Sequence, residues 1–240
     1  SFEVYNPSPD PVEVGISTIY GYPVTDSLGH LTLAIFEHPE PAAPSAAAWI
    51  EAFPRRVTLR PNQRQTIRLL ARPPQGLADG EYWTRLVVQS DGGRIAVENP
   101  DSSGISVGVT LSVRTLVSLM YRKGPLETGV RLEGLSGVEQ GDTLVVASGL
   151  TREGTAGYLA TFRSAVLDST GREFAGFETL IGLYGVLHPR FRYRLDGLPP
   201  GRYTLRVQID TDRADLRGAP VLDAPTVPGR VALVVPPRGG

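Results

Sequence analysis

The sequence predicts an all-β protein built from two sandwiches in tandem, and three observations support this prediction. First, 27 glycines and 21 prolines are spread along the 240 residues, which leaves little room for long helices. Second, apolar and polar residues alternate with a period of two in many short stretches. Third, one motif that joins a turn to a strand occurs twice, about half a chain length apart.

Short strands separated by turns fill the first half of the chain. Residues 2–5 and residues 12–17 have strand-like patterns, and a proline-rich turn separates them. Residues 57–71 continue the pattern around a turn at residues 60–62. Residues 39–48 are rich in proline and alanine, so we expect a loop there.

The repeated motif is Leu-x-x-Gly-x-Tyr followed by a strand. It occurs at residues 77–82 and again at residues 198–203. In an immunoglobulin-like sandwich this pattern is typical of a tyrosine corner, in which the tyrosine hydroxyl caps the backbone upstream. One corner in each half predicts two immunoglobulin-like domains, at residues 1–123 and 124–240. The alternative is that the motifs mark two ordinary hairpins whose turns contain glycine.

The longest regular pattern covers residues 105–121, just before the predicted boundary at residues 122–125. Nearly all of its odd-numbered positions are apolar, whereas the even positions from 106 to 114 are small or polar. A strand of this length would extend roughly 55 Å, so it must bend, break or project beyond one small sandwich. Further strands are predicted at residues 143–147, 158–167, 191–195, 203–209 and 230–235.

Charge and composition exclude several classes of protein. The chain has 24 Lys and Arg against 25 Asp and Glu, so its formal net charge is −1. This balance does not provide the basic surface that nucleic acids or anionic membranes need. The chain has no cysteine, which excludes disulfides, thiolate metal sites and cysteine nucleophiles. No apolar run approaches the roughly 20 residues of a membrane-spanning helix.

Residues with the spacing of a metal site are also missing. His30, His38 and His188 stand alone in the sequence, without the spacing of metal ligands around any of them. The acidic residues between 210 and 215 lack the glycine and the distal glutamate of a calcium-binding EF-hand. We interpret them as a solvated loop, and we predict neither a metal nor a cofactor.

One serine matches a catalytic pattern. Ser106 lies in a Gly-x-Ser-x-Gly match at residues 104–108. A nucleophile elbow requires a sharp turn from a strand to a helix, whereas this stretch begins a strand of period two. We therefore predict that the protein has no catalytic residues and is not an enzyme.

Six segments of the first half resemble a known family: residues 2–7, 45–50, 53–55, 59–69, 73–82 and 116–122. They resemble the N-terminal domain of the PapD-like periplasmic pilus chaperones, and the resemblance covers residues 1–125. The segment at residues 2–7 is similar to the second strand of that domain, and the one at residues 116–122 to its last strand. The resemblance implies a PapD-like arrangement of the two immunoglobulin-like sandwiches.

The resemblance also implies a way of binding. Such chaperones hold unfolded pilus subunits by lending their last strand, whose alternating apolar side chains fill a groove in the subunit. In this chain the corresponding row is Ile105, Val107, Val109, Leu111 and Val113. The alternative is that these side chains fill the core of their own domain, as on any strand of a sandwich.

Two departures from the family pattern argue against a working chaperone. The family anchors the terminal carboxylate of the subunit with an arginine on the first strand and a lysine on the last strand. This sequence is expected to begin at the second strand, and the position that matches the lysine is about Ser118, which has no charge. Loss of both cations would remove the charge-assisted clamp.

The sequence therefore predicts a non-catalytic protein-binding protein of the bacterial periplasm or cell surface. We expect a structural, scaffolding or assembly subunit that docks on a larger envelope or membrane-bound complex by strand-edge pairing. Its partners would be proteins, with no nucleic acid and no membrane span of its own. The first alternative is a working pilus chaperone whose clamp lies elsewhere, and the second is a serine hydrolase at Ser106. Because the sequence starts at Ser1 rather than at methionine, we expect a signal segment to have been removed.

Overall fold

The computed structural model describes residues 1–97, 107–195, 197–216 and 218–236, without the side chains of residues 92–97 and 107–111. It divides into two compact units. The first unit comprises Ser1–Gly21, Ile35–Ala78 and Tyr82–Arg122. The second comprises Tyr22–Ala34, Asp79–Glu81 and Lys123–Gly240. The predicted domain boundary between residues 123 and 124 stays a prediction.

Eight strands form two antiparallel sheets in the first half of the chain. They are β1 (Phe2–Tyr5), β2 (Val12–Thr25), β3 (Leu31–Phe36), β4 (Ile50–Phe53), β5 (Arg56–Leu59), β6 (Arg64–Ala71), β7 (Gly80–Val97) and β8 (Val107–Lys123). One sheet has the order β1-β6-β4. The other has the order β3-β2-β7-β8, and β5 also pairs with β2. Residues such as Ile16 and Leu86 from one sheet and Ile67 from the other are buried together, so the two sheets form a sandwich.

The remaining strands form a second sandwich. They are β9 (Thr128–Gln140), β10 (Thr143–Gly154), β11 (Tyr158–Leu167), β12 (Glu173–Leu183), β13 (Val186–Leu187), β14 (Arg190–Arg194), β15 (Gly201–Asp210) and β16 (Val227–Val235). One sheet has β10 at its centre, paired with β9, β13 and β14. The other has the order β12-β11-β15-β16. Leu144 of the first sheet and Phe162 and Leu205 of the second have no exposed surface and form part of one core. The predicted all-β, two-sandwich fold class is confirmed.

Both predicted tyrosine corners are present. The Tyr82 hydroxyl donates a hydrogen bond to the carbonyl oxygen of Ala78 at 2.9 Å. The Tyr203 hydroxyl donates to the carbonyl oxygen of Pro199, also at 2.9 Å. Each bond reaches back four residues, as expected for a tyrosine corner of an immunoglobulin-like sandwich. The interpretation as two ordinary hairpins is therefore wrong.

Removal of either corner hydroxyl is expected to destabilise the unit that contains it. Tyr82→Phe and Tyr203→Phe should each lower the free energy of unfolding by about 1 kcal/mol, because each loses one hydrogen bond. Both tryptophans of the chain, Trp49 and Trp83, belong to the first unit. In urea titrations, Tyr82→Phe should therefore lower the midpoint of the unfolding transition that is followed by tryptophan fluorescence. Tyr203→Phe should lower the midpoint only when unfolding is followed by circular dichroism. Tyr121→Phe is the control, and an equal loss in that variant would contradict the assignment.

The predicted solvated acidic loop is wrong for Asp210, which is the last residue of β15, whereas the Asp212 side chain is 79% exposed. Asp210 is only 8% exposed. It ends β15 opposite Thr161, so its carboxylate lies beside Arg163 of the neighbouring strand. The Nη1 atom of Arg163 donates to both carboxylate oxygens of Asp210, at 2.7 and 2.6 Å. Gln208 and the backbone N–H of Asp212 donate to the same carboxylate.

These contacts set the pKa of Asp210. Burial raises this pKa, but the hydrogen bonds from Arg163, from Gln208 and from the Asp212 backbone outweigh burial and hold it below its ordinary value. The carboxylate of Asp210 therefore favours the folded state above the pKa that it has in the unfolded chain. That contribution is lost as the pH falls through the lowered pKa of the folded state.

Acid is thus expected to destabilise the second unit through Asp210. The free energy of unfolding should fall between about pH 5 and about pH 3, because the unfolded chain takes up the proton first. Urea titrations followed by circular dichroism at several pH values in this range measure the loss. Asp210→Asn should be less stable at neutral pH and should show a smaller acid-dependent loss. Asp212→Asn is the matched control, since the Asp212 side chain is 79% exposed and lies 3.6 Å from Arg163. A loss of pH dependence in the control alone would contradict the role of Asp210.

Candidate protein-binding site

The last strand of the first half, β8, lies at the edge of its sheet. Among the strands that the structure describes, its only neighbour is β7. An edge strand presents a row of backbone N–H and C=O groups that can pair with another chain. At 17 residues, β8 offers a long edge for such pairing.

Apolar side chains on β8 remain open to solvent near its centre. Val113 is 48% exposed and Val117 is 47% exposed. These two residues and Thr115 are alternate residues of one strand, so they share one face of the sheet. The core of the first unit therefore does not bury these valines, unlike the inward-facing residues of a fully covered strand.

The predicted binding row falls partly outside the described residues. Ile105 lies outside them entirely. Val107, Val109 and Leu111 lie in β8, as the alternating pattern predicted, but the structure does not describe their side chains. Val113 is the member of the row whose side chain is described, and at 48% exposure it is not part of the buried core. The binding role of all five residues stays a prediction.

A cleft of about 330 Å³ lies beside this row in the first unit. Val4, Val12 and Val88 contribute apolar side chains to its wall, and Thr115 of β8 contributes a hydroxyl. Asn6 also lines the cleft, and its amide nitrogen donates hydrogen bonds to backbone carbonyls, including that of Leu59 at 3.0 Å. A partner side chain that reaches past β8 would thus meet a largely apolar wall.

On the other face of β8, two polar side chains contact β7, while Leu116 on the same face is 37% exposed. Ser112 donates to the Oδ1 atom of Asp91 at 2.5 Å, and Arg114 donates from Nε to Gln89 at 2.8 Å. The hydrogen bonds from Ser112 and then from Gln89 hold the pKa of Asp91 below its ordinary value. The two faces therefore differ. Ser112 and Arg114 on one face bond to β7, whereas Val113 and Val117 on the other face remain exposed to solvent.

A cation lies at the position where the sequence analysis found none. The guanidinium of Arg85 on β7 contacts the Ser118 hydroxyl, and its Nε atom donates to the carbonyl oxygen of Gly21 at 3.0 Å. Ser118 itself has no charge, as predicted, but its neighbour in the adjacent strand supplies one. Arg85 could not be identified from the sequence, because its contact with Ser118 depends on the register of β8 against β7 and no local pattern marks that register.

The serine and histidine candidates from the sequence form no catalytic arrangement among the residues that the structure describes. Ser106 lies outside the described residues. His30 has its Nδ1 atom 3.1 Å from Asp26 in a turn, with 56% of its side chain exposed. Within the described ranges there is no group of three or more His, Asp or Glu side chains that could hold a metal ion. No helix in this part of the chain is long and apolar enough to cross a membrane.

No family model and no curated protein matches this chain. Among solved structures, the chain is similar to one from the Salmonella enterica SafA pilin–SafB chaperone complex, with 16% identity and a TM-score of 0.37. That match covers 97% of this chain and 87% of the other. The CupB2 chaperone of Pseudomonas aeruginosa is 12% identical with a TM-score of 0.41, and the YadV chaperone is 14% identical with a TM-score of 0.43. Each of these two matches covers 96% of this chain and 90% of the other.

Proposed function

We propose that this chain is a non-catalytic protein that binds an extended segment of a protein partner along the edge of β8. The observation on which the proposal rests is the pair of half-exposed valines, Val113 and Val117, on an edge strand. Backbone pairing would supply most of the binding, and the valines would pack into the partner. The proposal includes the remainder of the predicted row, Ile105 to Leu111.

Two forms of this function differ in how long the partner stays bound. In the first, the chain is a pilus-type chaperone that lends β8 to a subunit and later releases it. In the second, it is a structural or assembly subunit of a larger envelope complex. An apolar row on an open edge favours the chaperone form, because strand donation requires such a row. Arg85 beside Ser118 supports the same form, because a guanidinium there is suited to bind a terminal carboxylate.

Capture from native envelopes tests the proposal. Wild-type chain and a Val113→Lys/Val117→Lys variant would be immobilised in parallel and exposed to the same solubilised extract of bacterial envelopes. The expected result is a partner that the wild type captures at a fixed ratio and the variant does not. A partner that both proteins capture equally would contradict binding through β8.

The identity of the captured partner and the role of its C-terminal carboxylate then distinguish the two forms of the function. A single pilus-type subunit in a one-to-one pair supports the chaperone form, whereas a stable assembly of several proteins supports the structural subunit. For the chaperone form, a segment with a free C-terminal carboxylate should bind more tightly than its amide, and Arg85→Gln should remove that difference. Fractionation of cells would test the proposed periplasmic or cell-surface location.

A further inference from the structure

A second edge strand, in the second unit, displays a row of arginines. Along β14, Arg190, Arg192 and Arg194 are exposed, while the two aromatic residues between them pack against the core. Alternate residues of a strand lie about 7 Å apart on one face, so the three arginine side chains leave β14 on the same face. Arg194 pairs with Asp142 at 3.2 Å. Arg190 and Arg192 have no ion pair with any residue that the structure describes.

On the side away from β10, the backbone of β14 is bonded to Gly29 at Arg190 and is open at Arg192. In the described part of the chain, β10 is the only strand that pairs with β14, with Ala147 opposite Arg190 and Val145 opposite Arg192. The N–H of Arg190 points away from β10, because it donates to the carbonyl oxygen of Gly29 at 2.9 Å. Backbone groups of a strand alternate in direction, so the N–H and C=O of Arg192 point to the same open side.

A cleft of about 410 Å³ lies at this open edge. Leu31 and Phe191 provide apolar surface, and His30, Arg190 and Arg192 provide positive or polar groups. Gly29 also lines the cleft and has a φ of 84°. A methyl group added at Gly29 would lie 2.6 Å from the Cγ atom of Arg190, so the glycine leaves room for the arginine stem.

We propose that the β14 edge binds an extended acidic segment of a protein partner. The segment adds as a strand to β14, and its alternate Asp or Glu side chains lie opposite Arg190 and Arg192. The partner segment should be acidic because Arg190 and Arg192 are positively charged. It should be a peptide because the unpaired N–H and C=O of Arg192 can pair with a peptide backbone. A peptide strand can pair with both the N–H and the C=O of Arg192, whereas a DNA backbone offers only acceptors, and the chain as a whole has a net charge of −1.

Binding of short labelled peptides to the full chain tests this proposal. The probe is a capped peptide in which glutamate alternates with threonine, and the comparison peptide has glutamine in place of glutamate. Fluorescence anisotropy should show the glutamate peptide binding at least about tenfold more tightly. Arg192→Gln should weaken that binding about threefold, and Arg190→Gln/Arg192→Gln about tenfold. Arg230→Gln, an exposed arginine of β16, is the matched control and should leave binding unchanged.

Backbone methylation distinguishes strand addition from charge attraction alone. Two versions of the glutamate peptide would have N-methyl groups on alternate residues, in one frame or in the other. If the peptide pairs with β14, one frame should bind like the parent and the other should lose binding, because only one edge of the peptide faces β14.

Three results would overturn the proposal. If the glutamine peptide binds as tightly as the glutamate peptide, the arginines only protect the edge from pairing. If both methylated peptides bind like the parent, no strand is added. If a single-stranded oligo-dT of matching charge binds more tightly than the peptide, the partner is a nucleic acid. The proposal is independent of β8, so Val113→Lys/Val117→Lys should bind the glutamate peptide as the wild type does.

Discussion

Lysine at both Val113 and Val117 is expected to weaken binding of the extended partner segment about a hundredfold. The two side chains are 48% and 47% exposed in the free chain, so pairing with a partner would bury them further. Burial of the exposed half of each valine contributes about 0.7 kcal/mol, and lysine adds the cost of a charge where the partner needs an apolar contact. Isothermal titration calorimetry with the segment identified by capture measures the change in affinity.

The fold should tolerate these two lysines, because the side chains can reach water in the free chain and lysine is common on edge strands. The free energy of unfolding should therefore change by less than about 0.5 kcal/mol. Val234→Lys is the matched control, since Val234 is 62% exposed on β16. Unchanged affinity in the β8 variant would show that the partner binds elsewhere. An equal loss in the control would show a general effect of charge.

Alanine at Gly154 is expected to destabilise the second unit by about 3 kcal/mol. Gly154 ends β10 with a φ of 82°, a left-handed conformation that disfavours any side chain. A methyl group at this position would lie 2.4 Å from the carbonyl oxygen of Glu127. That oxygen accepts hydrogen bonds from the N–H groups of Thr155 and Ala156, at 2.9 and 3.0 Å, so it cannot move away without breaking both.

Gly171 separates the two causes of this loss. Its φ is 85°, but no atom lies within 4 Å of a methyl group built there. Gly171→Ala should therefore cost only the conformational strain, about 1 kcal/mol. Urea unfolding followed by circular dichroism compares the two variants. Equal losses would show that the contact with Glu127 relaxes and that strain alone accounts for the effect.

Local patterns predicted much of this fold because the deciding interactions are local. The hydroxyls of Tyr82 and Tyr203 bond to residues four positions upstream, within the motif that predicted them. The strand predicted at residues 158–167 has the same bounds as β11, whose residues are mostly buried. By contrast, β9 and β12 were not predicted. Both strands contain glycines, which are more typical of turns than of strand interiors, but here the glycines lie within paired strands.

The candidate site was less predictable because it depends on which strands are neighbours. The period of two placed Val113 on a strand, but its exposure follows from the position of β8 at the end of the sheet order. The contact of Arg85 with Ser118 joins residues of different strands through their register. The pairing of Asp210 with Arg163 has the same origin, since β15 and β11 must align before the two residues meet.

The open edge of β8 is also expected to limit how much of the unbound chain can accumulate. The backbone groups that would pair with a partner segment can equally pair with β8 of a second copy, and the exposed valines would favour that contact. Productive binding and self-association therefore compete for the same strand. A cell would have to match the supply of this chain to that of its partner, because any excess is exposed to aggregation.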